Sequence, residues 1–134
     1  MVRVKPLNSK YLISAICLCL ALALAYPAGA ANTDSDEARS LSHYIVGVYY
    51  DDLGDLDKAI QEYKKALEAN PNSALLHLNL ASIFIKQDQT ALAIEQLKQS
   101  IGIAPEAIEP HVILALVYAA QKKADLAGQE YTLA

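Results

Sequence analysis

The chain has no tryptophan, one phenylalanine and two cysteines among its 134 residues. Both cysteines, Cys17 and Cys19, lie in an N-terminal stretch that reads as a removable export segment. The mature chain then has none, which excludes disulfides, thiolate metal sites and a cysteine nucleophile. The shortage of Trp and Phe argues against a base-stacking platform. Basic residues are also scarce. Removal of Arg3, Lys5 and Lys10 with the leader leaves 8 basic against 15 acidic side chains, a net charge of −7. That balance excludes the basic stripe needed for DNA or RNA, and it opposes docking on anionic lipid. No Gly-rich phosphate loop, Ser/His/Asp order or catalytic carboxylate pair is present. The expectation is a non-enzymatic chain with no cofactor and no metal.

The leader has three parts. Residues 1–10 carry three positive charges and no negative one. Residues 11–25 are apolar apart from Ser14 and the Tyr11 hydroxyl. Pro27 then interrupts, and Ala28-Gly29-Ala30 places small residues where a signal peptidase reads them, with cleavage expected between Ala30 and Ala31. As a helix the apolar run would span roughly 22 Å, short of the ~30 Å hydrocarbon core. Neither cysteine follows a small residue, so a lipoprotein signal is not expected. The chain is expected to be exported, periplasmic or secreted, with no membrane contact after cleavage. If the leader is retained, the chain is membrane-anchored.

What remains is one domain with an internal period. Ala59-Ile60-Gln61-Glu62-Tyr63-Lys64-Lys65-Ala66-Leu67 aligns with Ala93-Ile94-Glu95-Gln96-Leu97-Lys98-Gln99-Ser100-Ile101 at an offset of 34. The same offset carries Pro71 to Pro105, Leu80-Ala81 to Leu114-Ala115, and Phe84 to Tyr118. Twice the offset carries Tyr50 to Tyr118, Ala59 to Ala127, Tyr63 to Tyr131 and Ala66 to Ala134. A period and pattern of this kind resemble the tetratricopeptide repeat (TPR) family. The resemblance covers residues 40–134, with units at 40–73, 74–107 and 108–134, after a short polar lead-in at 31–39. His43, His77 and His111 stand where the family usually has Trp. The second unit lacks a Gly matching Gly54 and has Thr90 where an apolar side chain is usual, so its inner turn is expected to be the least well specified. The implied fold is all-α, a right-handed α-solenoid of about three helix-turn-helix units.

The residues support helices on their own terms. Leu41-Tyr44-Ile45-Val48 and Ala59-Tyr63-Ala66-Leu67 recur at helical spacing. Asp34 with Glu37 reads as an N-cap pair. Asp51-Asp52-Leu53-Gly54-Asp55 marks a turn, and Asn70-Pro71-Asn72-Ser73 marks another, because Pro cannot continue a helix. Helices are expected over 36–52, 56–69, 73–87, 90–103, 108–121 and 124–134. Small residues at Gly47, Ala81 and Ala115 let paired axes approach to about 8 Å.

The three histidines, spaced by 34 and 34, invite a metal reading. Equivalent atoms in stacked helix pairs lie roughly 10 Å or more apart, whereas zinc needs its nitrogens about 2.0–2.1 Å from one point. They read as partly buried rings. The acids Asp51, Asp52, Asp55 and Asp57 lack calcium-loop spacing and read as a solvated turn.

In the family resembled, the first helix of each unit lines a concave face. Its places here hold Leu41, Tyr44, Val48 and Asp51, then Leu75, Leu78, Ser82 and Ile85, then Glu109, Val112, Leu116 and Ala119. The places of the family's C-terminal-carboxylate clamp hold Tyr44, Val48, Asn79, Glu109 and Ile113. Only Asn79 fits, so no chaperone-tail clamp is expected. The lining is apolar with acids at its ends, and an exposed apolar groove points to a protein or peptide partner. The resulting expectation is an exported adaptor or scaffold. The alternatives are the docking arm of a longer exported enzyme or envelope-assembly component, and a membrane-tethered scaffold. The last unit shows no closing Pro and no polar cap, so either the natural chain continues past Ala134 or this end self-associates or meets a partner.

Overall fold

Apolar side chains recur at helical spacing through residues 40–134, and each such run folds as a helix. The computed structural model describes residues 30–134. The apolar leader and Ala28 lie outside the described residues, as does most of the cleavage pattern. Among the described residues there are six helices and no strand: α1 (Ala30–Asp52), α2 (Leu56–Ala69), α3 (Ala74–Lys86), α4 (Thr90–Ile103), α5 (Ile108–Ala120) and α6 (Ala124–Leu133). None is long and apolar enough to cross a membrane. The chain is all-α, and Ser35–Ala134 forms one unit of stacked helix pairs.

Five of the six helices match their expected spans to within a residue at each end. The exception is α1, which begins at Ala30 rather than 36. Asp34 is therefore inside the helix and does not cap it. Ala30 and Ala31, both strong helix formers, extend the helix upstream of the apparent cap. Caps do form elsewhere. Asp55 accepts from the Lys58 N–H at the start of α2, and Ser73 accepts from the Leu76 N–H at the start of α3, both at 3.4 Å. Each satisfies one of the backbone donors a helix start leaves unpaired.

The turn between the two helices of a unit is built the same way three times. Asp55 N–H donates to Tyr50 O (2.9 Å), Gln89 N–H to Phe84 O (2.8 Å) and Lys123 N–H to Tyr118 O (2.9 Å). One residue earlier, Gly54, Asp88 and Lys122 each donate to the carbonyl three residues back. This is a Schellman ending, which needs a left-handed residue. Gly54 supplies it at φ +77°, but Asp88 (58°) and Lys122 (60°) adopt it without being glycine. The inner turn of the second unit is thus formed as fully as the others. The missing glycine appears as backbone strain rather than as a looser turn, and the third unit shares it.

Two clusters of buried side chains join the pairs. In the first, Ala59, Tyr63 and Ala66 of α2 meet Leu76, Leu80, Ile83 and Phe84 of α3 and Ala93 of α4. In the second, Leu78 and Ala81 of α3 and Leu97 of α4 meet Leu114, Val117 and Tyr118 of α5 and Ala127 of α6. Ser100, at the place of Ala66, is buried and donates its hydroxyl to Ala74 O at 2.9 Å. The small residue at Gly47 has a direct cause. A Cβ there would stand 2.6 Å from the ring of Tyr63, so only glycine lets α1 and α2 close on that ring.

Candidate partner-binding groove

The first helices of successive units lie side by side, and between α3 and α5 they leave an apolar groove. Ser82, Ile85 and Lys86 form one wall, and Ile113, Leu116, Val117 and Ala120 form the other, around an open volume of about 480 Å³. Ile85 and Leu116 are exposed, Leu116 by 54%. A smaller hollow of about 230 Å³ lies between α1 and the start of α3, with Leu41, Tyr44 and Leu75 on its walls and Glu37 and Asn70 beside them.

Of the expected lining, Ser82, Ile85 and Leu116 border the groove, and Leu41, Tyr44 and Leu75 border the smaller hollow. Leu41, Leu75, Ile85, Leu116 and Ala119 are exposed, while Tyr44, Val48, Ser82 and Val112 are half-buried. Leu78 is not available. It is 8% exposed and packs in the second cluster beside Ala81 and Leu114. There it shares its cluster with Leu114 and Val117 of α5 and Leu97 of α4. Tyr44 and Val48 are likewise drawn toward the first cluster. Sequence reasoning missed Val117 and Ala120, which together with Ile113 widen the groove on the α5 side.

Polar groups around the groove are largely spoken for. Ser82 Oγ donates to Leu78 O at 3.2 Å, along its own helix. Lys86 Nζ reaches Asp51 Oδ1 at 2.6 Å, so the acid expected at one end of the lining is paired across from α1 to α3. Asn79, the single match to a carboxylate clamp, keeps its amide nitrogen buried without a hydrogen-bond partner. The rim therefore offers little that would fix a charged ligand, and the walls offer aliphatic surface.

The histidines prove to be bolts between paired helices. The Nδ1 atoms of His43, His77 and His111 stand 2.7, 2.8 and 2.8 Å from Glu62 Oε2, Gln96 Oε1 and Glu130 Oε2 respectively. Each partner lies 19 residues on, across the unit's turn. The partners recur at the same offset of 34, and that signal was open to reading in the sequence. Hydrogen bonds from Lys65 and then His43 hold the Glu62 carboxyl below the usual carboxylate range. Among the described residues no cluster of three His, Cys, Asp or Glu side chains is arranged to hold a metal.

Comparison with known proteins agrees with the helix-pair geometry. Residues 48–88 match a family model described as TPR repeat, and residues 74–106 match one described as tetratricopeptide repeat. A curated relative, anaphase-promoting complex subunit 3 of Schizosaccharomyces pombe, is 27% identical over 89 residues. The match takes in 66% of this chain and 13% of that protein, so the chain spans about an eighth of that relative. Among solved structures, MamA superposes with a TM-score of 0.69 at 21% identity, over 70% of this chain and 55% of that one. The second TPR of Spaghetti, bound to the HSP90 peptide SRMEEVD, superposes at 0.70 with 19% identity, over 75% of this chain and 93% of that one. At these identities the likeness establishes a shared TPR solenoid fold.

Proposed function

We propose that this chain is an exported TPR adaptor whose groove between α3 and α5 receives an apolar helix or peptide of another envelope or secreted protein. The observation that carries the reading is the groove itself. Ile85, Ile113, Leu116 and Ala120 are presented together, with the one bordering cation already paired to Asp51. Aliphatic surface held open on a rigid helix pair gains free energy by burial, at roughly 25 cal/mol per Å². A TPR neighbour that holds a peptide supports this mode of use. Nothing in the groove resembles catalytic machinery, and the work proposed for it is recognition. Export rests on the charged, apolar and small-residue order of residues 1–30, with cleavage after Ala30. On this reading the mature protein begins at Ala31, without the apolar leader.

The test is a binding selection against a displayed peptide library. Selected peptides should be rich in Leu, Ile and Phe, and their affinity should change little with added salt, because burial rather than charge pairing drives the contact. Leu116→Asp should weaken binding at least ten-fold with helix content unchanged by circular dichroism. Peptides selected for a terminal carboxylate, or binding indifferent to Leu116→Asp, would refute the groove as the site.

A further inference from the structure

The smaller hollow opens on the same side of α3 as the groove. Leu75 borders the hollow, and Ser82 and Lys86 border the groove. They stand at i, i+7 and i+11, so they fall on one stripe of the helix. Leu75 and Ser82 are about 10 Å apart along the axis. An extended peptide rises about 3.3 Å per residue, so one that seats an apolar side chain in the groove reaches the hollow about three to five residues away.

The chemistry of the hollow differs from that of the groove. Leu41 and Leu75, both more than half exposed, give it aliphatic walls, and Tyr44 gives it an aromatic one. The Tyr44 ring is held against the buried ring of Tyr63, with centroids 6.1 Å apart. Beside them stand the Glu37 carboxylate and the Asn70 amide, and none of the side chains lining the hollow is a cation. Glu37 is exposed and forms no ion pair among the described residues. Arg39, the one Lys or Arg of α1, is paired instead with Asp36 at 3.1 Å. The end of α2 and the start of α3 meet at this turn, so their opposed dipole ends offset and the Glu37 charge sets the sign. An aliphatic stem ending in a cation matches each of these features. Its methylenes lie on Leu41 and Leu75, and its head is drawn to Glu37 and to the face of Tyr44.

We propose that this hollow is a subsite for a lysine or arginine side chain of the peptide that the groove binds. The inference rests on the groove reading and adds to it a charge and a spacing. The bound segment carries an apolar anchor and, about three to five residues away, a basic one.

The test selects randomised peptides on wild type and on Glu37→Lys, a change at an exposed position that should leave circular dichroism unaltered. Wild type should return Lys or Arg at a fixed distance from the apolar anchor. Glu37→Lys should return Asp or Glu at that distance with the same anchor. A synthetic peptide from the wild-type selection then serves as the probe. Exchanging its basic residue for Glu should weaken binding to wild type about five-fold, the scale of an exposed ion pair, and strengthen binding to Glu37→Lys by a similar factor. Added salt should erase that difference and leave the apolar share. Leu116→Asp separates the two readings, because it removes the apolar anchor and leaves Glu37 in place. Peptides that lose affinity on Leu116→Asp but show no charge preference, or the same peptides selected by both proteins, overturn the subsite while the groove stands. Binding that follows the charge exchange yet ignores Leu116→Asp refutes the groove and with it the two-anchor peptide. A selection that returns no binder overturns both.

Discussion

A methyl group added at Gly47 would crowd the Tyr63 ring, yet Ala81 occupies the same place in the second unit. The explanation lies on the opposite helix. Ala81 faces Leu97, a narrower side chain than Tyr63, and both are fully buried. Gly47→Ala should therefore destabilise the fold by about 1–3 kcal/mol through overpacking, in spite of the better helix propensity of Ala. The double change Gly47→Ala with Tyr63→Leu copies the second unit and should recover most of the loss, as read by urea unfolding. Tyr63 also carries an alkaline signature. Burial first, and then the nearby Asp51 charge, push its hydroxyl up to about 12 from an ordinary 10. Its contribution to stability is fully present below pH 10 and is lost as pH rises through about 12. Ultraviolet titration should show one tyrosine ionising near pH 12 together with loss of helix, and Tyr63→Phe should remove that step.

At the scale of helices and turns, three identical endings use three different residues. Gly54 takes the left-handed conformation freely, whereas Lys122 does so against its own Cβ. Lys122→Gly should raise stability by about 1 kcal/mol, and Gly54→Ala should lower it by a similar amount. Thermal melts of the two variants check the pair, and Asp88→Gly should gain less because Asp tolerates this region better. These turns also show what was legible. The pattern of Pro71, Gly54, Pro105 and the periodic apolar residues placed five helices almost to the residue, because turn chemistry is local. The start of α1 was hidden, since Asp34 imitates a cap and nothing local shows that the helix continues upstream. Leu78 was misplaced because its burial depends on α5, more than thirty residues away in sequence. The partners of the histidines were visible at the same offset as the histidines themselves, but a search for ligands among histidines alone passes over them.

For the molecule as a whole, the repeat carries the fold and the departures from the repeat carry its individuality. The period of 34 explains why Tyr63, Leu97 and Tyr131 share a place, and position in the stack explains why only the last is exposed. The groove depends on neighbouring first helices leaving aliphatic side chains uncovered, which composition alone does not reveal. The central claim is that this apolar face is where a partner binds. Photo-crosslinking in the native cell tests it most directly, with the reactive residue placed at Leu116, at Ile85 or at Gln99, an exposed position on α4 away from the groove. The account predicts one discrete crosslinked product from Leu116 and Ile85 and none from Gln99. Crosslinking from Gln99 alone, with the groove positions silent, would contradict it.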